Sequence, residues 1–231
     1  MNKSIAIIPA RGGSKRIPRK NIKDFLGKPI IAYGIEAAIN SKLFDVVMVS
    51  TDDLEIAEVS KKYGALIPFM RSIEKSNDFA TTADVLLEVL MEYKKLGKEF
   101  EYLCCIYPTA PFVTPQKLID SFIIMIENNA DSVIPVVKFN SPIQRALRIN
   151  NKNQLEYIWP ENINKRSQDL EYTYHDAGQF YWAKSKEVFH SKQLFLKKAI
   201  PFIVSEMDVQ DIDTIEDWEI ALTKYKVKFN A

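Results

Sequence analysis

The side chains best suited to chemistry crowd one stretch near the front, IIPARGGSKRIPRKN, from Ile7 to Asn21. An apolar run stops at Pro9 and opens into Gly12 and Gly13, surrounded by Arg11, Lys15, Arg16, Arg19 and Lys20. Paired glycines let a backbone turn tightly and present N–H groups unscreened by side chains, a geometry suited to phosphate oxygens, and the cations supply neutralising charge. A polyanion fits this loop; a solvated basic loop is the plainer alternative. Neither common glycine motif matches, because a Walker A loop ends in Gly-Lys-Ser/Thr and the dinucleotide fingerprint opens straight into a helix. A second constellation is Asp211-Ile-Asp213. Side chains two apart on an extended chain point the same way, so the two carboxylates can converge on one cation while Ile212 packs inward. Mg²⁺ suits such a pair, since it takes one or two carboxylates and fills its octahedron with phosphate oxygens and water. The alternative is that Asp213 caps a helix beginning near Thr214, with Glu216 in the first turn; both roles can also share the loop, with Thr214 as the cap. Arg71, after the run IPFM, is the third candidate, although a lone loop arginine is ordinarily a surface charge. Asp52, after VVMVS, either orients a ribose hydroxyl or caps the next helix, and the cap is the favoured reading.

These residues need elements to hold them. Short apolar runs read as buried strands at Ser4 to Ile8, Val46 to Ser50, Leu66 to Pro68, Tyr102 to Ile106 and Ser132 to Val137. Helical patterns lie between them. Pro29 stands at a first helical position before IIAYGIEAAINS, Asp53 opens EIAEVSKKYG with Gly64 to end it, and Thr81 or Thr82 caps ADVLLEVLMEYKKLG. A further helix runs from about Pro115 to Asn128. Strands alternating with helices predict βαβ units and a mostly parallel, Rossmann-like sheet with helices on both faces, an α/β/α arrangement of three layers. Ligands in such folds bind beyond the carboxyl ends of strands, where the basic loop stands. From about Lys138 to Tyr174 the alternation weakens, prolines interrupt and asparagine is frequent, which reads as an inserted arm within one domain spanning 1–231. The α/β pattern returns with GQFYWA, an amphipathic KSKEVFHSKQLF, the strand AIPFIVS and a final helix from Thr214 to about Tyr225.

Composition excludes several classes. Lys and Arg number 31 against 30 Asp and Glu, so the chain lacks the overall positive field of a nucleic-acid-binding domain. The N-terminal apolar run is too short for a signal segment and no later run reaches membrane-spanning length, so a soluble cytoplasmic protein is expected, with no membrane partner. Cys104 and Cys105 are adjacent with no third cysteine, and two reduced, buried thiols are expected. With two histidines in the chain, no zinc-type constellation exists.

The run A-R-x-x-S-K-R-x-x-x-K-N, Ala10 to Asn21, resembles the signature of the cytidylyltransferases that activate nonulosonic acids, the CMP-sialic acid synthetase family. Similar segments come in order at Val46 to Asp53, Phe69 to Thr82, Tyr107 to Phe112 and Val209 to Thr214, so the resemblance covers essentially the whole chain. Within the family, RSQDLEYTYHDAGQFYW, Arg166 to Trp182, is most similar to the members that act on pseudaminic acid; sialic acid members tend to carry R-x-N-G-A-I-Y there, and a glutamine where Tyr107 stands. The resemblance implies the fold of the nucleotide-diphospho-sugar transferases, a homodimer joined through the arm, and transfer of CMP from CTP to the anomeric oxygen of the sugar with release of pyrophosphate. It implies that Arg11 and Lys20, with Asp211 and Asp213 holding Mg²⁺, are catalytic. It puts the nucleotide on Ala10, Arg11, Gly12, Gly13, Ser14, Lys20, Asn21, Arg71, Ala80 and Thr82. It puts the sugar on Tyr107, Gln144, Arg145, Arg166, Gln168, His175, Asp176 and Gln179, with Arg166 facing the sugar carboxylate. Legionaminic acid, sialic acid or another acid sugar, and a nucleotide-binding module without turnover, are the competing readings. An activated pseudaminic acid implies surface or flagellar glycosylation.

Overall fold

The structure is a computed structural model that describes residues 3–77 and 79–230; Met1, Asn2, Asp78 and Ala231 lie outside the described residues. In chain order the elements are β1 (Ser4–Pro9), β2 (Asp24–Phe25), β3 (Lys28–Pro29), α1 (Ile30–Ser41), β4 (Val46–Ser50), α2 (Leu54–Lys62), α3 (Thr82–Lys95), β5 (Tyr102–Ile106) and α4 (Pro115–Glu127). The second half continues with β6 (Ser132–Lys138), β7 (Leu147–Ile149), β8 (Leu155–Tyr157), β9 (Tyr174–Asp176), β10 (Phe180–Lys184), α5 (Ser185–Ser191), β11 (Ala199–Ile203) and α6 (Ile215–Phe229).

The main sheet runs β11-β6-β10-β5-β1-β4, with β9 added to β6. Pairings β4–β1, β1–β5 and β6–β11 are parallel, as the βαβ pattern predicts, while β10 lies antiparallel between β5 and β6 and β9 is antiparallel to β6. Alternation along the buried strands explains the three layers. Ala6, Ile8, Cys104 and Trp182 face α1, α2 and α4, whereas Ile5, Ile7, Cys105 and Tyr181 face α3 and α5. The adjacent cysteines therefore point into opposite layers; both are free and buried, and burial pushes their thiols up. A third cluster joins Phe25, Tyr33 and Phe112 to Ile212 and Trp218, seating α6 beside the loop after β1.

Local signals place the helices. Asp53 caps α2, Thr81 caps α3 and Thr214 caps α6, the last two with reciprocal boxes closed by Asp84 and Asp217. Two expectations change. Leu66 to Pro68 is no strand: Leu66 makes one parallel bridge to Met48, after which Pro68, which has no N–H to give, ends the pairing. The helix after β4 is capped by Asp53, whose carboxylate accepts from the Ile56 N–H, and not by Asp52. Between β6 and β9 stand a β7–β8 hairpin and short 3-10 turns.

Candidate active site

The carboxyl ends of β4, β1 and β5 lie side by side, and the segments leaving these strands face a common cleft. After β1 come Ala10, fully buried with its N–H on the Ser50 carbonyl, and Arg11. Arg71 arrives next to β4 because its own N–H bonds the Thr51 carbonyl at 2.8 Å. It is no surface charge: 8% exposed, it donates from Nε to Ser50 Oγ at 3.0 Å and from a terminal nitrogen to the Ser50 carbonyl. Desolvation pulls its guanidinium down from the usual value, and the Asp52 charge works in the opposite direction. After β5 comes Tyr107.

Two cavities adjoin there. One, of about 250 Å³, is lined by Pro9, Arg11, Arg71, Lys75, Asn77, Ala80, Thr82, Val85 and Tyr107. The other, of about 220 Å³, is lined by Arg11, Ser14, Lys15, Arg16, Ile17, Lys20 and Asp213. Arg11 belongs to both. The first joins residues predicted for the base and ribose, and the second joins the basic loop to the far end of the chain. Lys20 Nζ donates to the Ile212 carbonyl and stands 3.5 Å from Asp213, while Arg16 pairs with Asp213 at 2.8 Å. A larger cavity of about 300 Å³, between α3 and α5, has aromatic walls at Phe100 and Phe189 and holds none of the predicted residues.

The loop's glycines differ. Neither has a left-handed φ. A Cβ on Gly12 would lie 2.6 Å from Asp53 Oδ2, so glycine is required there by close approach, whereas Gly13 faces open space. The Gly12 N–H donates to Asp52 Oδ1 at 3.0 Å, and Asn21, buried, donates from Nδ2 to the Arg11 carbonyl at 2.9 Å. Asn21 thus shapes the loop in this conformation.

Ile212 is fully buried between the two aspartates, as an inward-packing residue should be. Asp211 meets solvent at its surface, yet the surrounding protein desolvates it and, with the Asp213 charge, pushes its carboxyl up, while Lys20 partly offsets this. Among the described residues, no group of three or more His, Cys, Asp or Glu side chains could hold a metal by itself. The Asp211 and Asp213 pair could supply part of a Mg²⁺ shell, with substrate oxygens and water completing it.

The predicted sugar residues divide into two groups. Tyr107 contacts Thr82 and Tyr181, packing edge-on to the Tyr181 ring at 5.4 Å, and the Tyr181 hydroxyl donates to both Asp176 oxygens at 2.8 and 2.9 Å. Gly178, at φ 60°, gives the turn that returns its N–H to Asp176 at 2.8 Å. Burial pushes the Tyr107 and Tyr181 phenols up, so both hydroxyls keep their protons. His175 packs at a tilt against Phe139 with Nδ1 against the Asp176 carbonyl, and Gln179 is buried with its Nε2 unpartnered among the described residues. The second group lies in the segment between β6 and β9. Gln144 donates to the Glu171 carbonyl, Arg145 to Ser167, and Arg166 forks onto Asp169 at 2.7 and 3.1 Å, while Gln168 borders a separate cavity with Tyr172. None of these four lines either of the two cavities that meet at Arg11.

Lys75 and Asn77 line the Arg71 cavity and Tyr181 backs Tyr107, none of the three legible as a candidate in the sequence. Asn77 was only one polar residue of a loop, though its carbonyl side chain organises Phe79 and Ala80. For Tyr181 a signal did exist: strand alternation in GQFYWA sets it opposite Phe180 and Trp182.

Comparison with known proteins places this geometry. The family model described as cytidylyltransferase matches residues 5–221. A pseudaminic acid cytidylyltransferase of Campylobacter jejuni is 43% identical over 225 residues, 97% of each chain, and a CMP-N,N'-diacetyllegionaminic acid synthase of Legionella pneumophila is 30% identical over 98% of this chain and 97% of its own. Among solved structures, a CMP:2-keto-3-deoxy-manno-octonic acid synthetase complexed with CTP superposes with a TM-score of 0.72 at 18% identity, covering 99% of this chain and all of that one, which supports the fold. Matched nearly end to end, and with its cationic loop, buried Arg71 and Asp213 gathered around two cavities that meet at Arg11, the chain belongs to the cytidylyltransferase family.

Proposed function

We propose that this protein joins CMP to the anomeric oxygen of pseudaminic acid, consuming CTP and releasing pyrophosphate. The observation that carries the reading is the pair of cavities meeting at Arg11: a part-buried one built around Arg71 for a base and ribose, and a cationic one closed by Asp213 for a polyphosphate. Relatives that match the chain end to end support the acid sugar, and the 43% identity to a pseudaminic acid cytidylyltransferase favours that substrate.

The anomeric oxygen forms a bond to the α-phosphorus, the bond from that phosphorus to the bridging oxygen breaks, the hydroxyl proton is lost, and pyrophosphate leaves. Catalysis here is positioning and charge neutralisation. Arg71 and the backbone near Ala80 orient the cytosine, Thr82 supports the nucleotide, and Arg11, Gly12, Gly13, Ser14 and Lys20 hold the phosphates. Binding requires Asp52 to release the Gly12 N–H. Asn21 keeps the loop in shape through the Arg11 carbonyl. The Asp211–Asp213 pair fits Mg²⁺, because two carboxylates two residues apart flank the buried Ile212 beside the cationic cavity, and burial with the Asp213 charge pushes the Asp211 carboxyl up. Bound there, the ion would neutralise phosphate oxygens and lower the pKa of a coordinated hydroxyl. Tyr107, held by Tyr181 and Asp176, faces the acceptor together with His175 and Gln179.

Gln144, Arg145, Arg166 and Gln168 sit in the 138–174 arm of this single domain, and we assign them to the sugar site of a second copy in a homodimer, where Arg166 exchanges Asp169 for the sugar carboxylate. The enzyme would work in the cytoplasm and supply glycosylation of surface or flagellar protein. The test is pyrophosphate release with CTP, Mg²⁺ and a panel of nonulosonic acids. Turnover with pseudaminic acid above all others is expected; preference for legionaminic or sialic acid would reassign the substrate, and no release with any sugar would leave a nucleotide-binding module.

A further inference from the structure

The basic loop is gripped from outside by a contact that nucleotide binding does not explain. Arg19 sits at φ 55° and ψ 28°, a left-handed conformation uncommon for a residue other than glycine. The kink sends successive cations in different directions. Lys20 turns toward Ile212 and Asp213, whereas the Arg19 guanidinium forks onto Asp53 at 2.5 and 2.9 Å and adds a bond to Glu55. Asp53 is itself fixed, since it caps α2 through the Ile56 N–H. The same carboxylate is what a Cβ on Gly12 would strike. One aspartate thus bounds the loop at both ends, Gly12 and Arg19, and ties them to a helix. The Nε of Arg19 is buried without a hydrogen-bond partner among the described residues, a cost that a lysine would avoid. What arginine supplies here is the planar fork onto Asp53 and not charge alone.

We propose that Arg19 and Asp53 form a positioning clamp for the phosphate loop: the pair sets where Ser14, Arg16 and Lys20 stand, and Arg19 is not itself a phosphate ligand. The inference rests on reading this loop as the triphosphate site. It divides the cluster of cations by role, because Arg16 and Lys20 line the cavity and Arg19 does not.

The test is a double-mutant cycle with Arg19→Gln, Asp53→Asn and both together, in the full chain. Asparagine caps helices about as well as aspartate, so Asp53→Asn removes the ion pair and keeps the start of α2. Dissociation constants for CTP and for inorganic pyrophosphate are measured by calorimetry, with steady-state rates and melting curves alongside. The clamp predicts that each single variant weakens both ligands roughly tenfold and raises KM for CTP more than it lowers kcat, and that the double variant is no worse than either single. If Arg19 were a phosphate ligand, Asp53→Asn would free a cation and tighten CTP; that result would overturn the clamp. Lower melting temperatures with unchanged ligand affinity would also overturn it, leaving a surface ion pair. Wild-type protein that binds neither CTP nor pyrophosphate would sink the triphosphate reading itself, and the clamp's purpose with it.

Discussion

Lys20 and Asp211 are drawn together from opposite ends of the chain, yet each sits in a different balance of forces. Lys20 is mostly shielded and faces a carbonyl oxygen and the Asp213 carboxylate, so on the proposed reading its charge is held ready for a phosphate oxygen. Lys20→Ala and Asp211→Ala are each expected to lower kcat by about 100-fold or more, by analogy with loss of one preorganised donor, while the melting temperature stays near that of wild type. Near-normal turnover with saturating CTP and Mg²⁺ would remove either residue from the mechanism. Asp53 shows the opposite case, a carboxylate that serves the fold. The hydrogen bond from Arg19, above all, holds it down at about 2 against an ordinary value of 3.8. Its folded pKa is depressed, so its stabilisation is present above the unfolded value and fades as pH falls from about 4 toward 2. Because Arg19 is partly solvated, Asp53→Asn should cost on the order of 1 kcal/mol at pH 7. Urea denaturation at pH 7 and pH 3 checks this; a gap that fails to narrow at pH 3 would contradict it.

At the scale of elements, the start of α6 couples helix capping to the aspartate pair. Asp217 accepts from the Asp213 N–H at 3.0 Å, the Thr214 N–H at 2.7 Å and the Thr214 hydroxyl at 2.8 Å. One side chain thus closes the capping box and holds the backbone of Asp213. Asp217→Ala should destabilise the protein by about 1 kcal/mol and raise the Mg²⁺ concentration for half-maximal rate severalfold, with CTP affinity nearly intact. A Mg²⁺ titration of pyrophosphate release reads this directly, and an unchanged curve would mean that α6 does not anchor the pair. Strand β10 makes a second coupling. Its antiparallel course between β5 and β6 brings Tyr181 against Tyr107 and Asp176, so a sheet-core strand also holds the residues proposed for the acceptor.

For the whole molecule, the sheet buries its two faces under α1, α2 and α4 on one side and α3 and α5 on the other, but the β7–β8 hairpin stays uncovered. Ile149 and Leu155 are 68% and 69% exposed there, with Trp159 close by in sequence. Apolar surface of this kind suits a second copy. Light scattering is expected to give a dimer mass, and Ile149→Asp with Leu155→Asp should give a monomer that binds CTP normally but has lost turnover of the sugar. A fully active wild-type monomer would refute the shared site. Among the described residues no helix is long and apolar enough to cross a membrane, which matches the even charge and mixed hydropathy of the chain.

What the sequence determined by itself is what short-range forces specify. Short continuous apolar runs named β1, β4, β5 and β6, and hydroxyl or carboxylate residues three positions ahead of a helical N–H named the starts of α2, α3 and α6. The order of motifs along the chain named the family. Tertiary structure decided everything that depends on strand order. It turned Arg71 from an apparent surface charge into a buried donor and matched Arg19 to a carboxylate 34 residues away. It also brought Lys20 to the Ile212 carbonyl across 192 residues. Caps and strand alternation are settled within a few residues and can be read from a string. A guanidinium finds its carboxylate only once β4, β1 and β5 lie side by side, because contacts between distant residues are created by packing and leave no local periodicity behind.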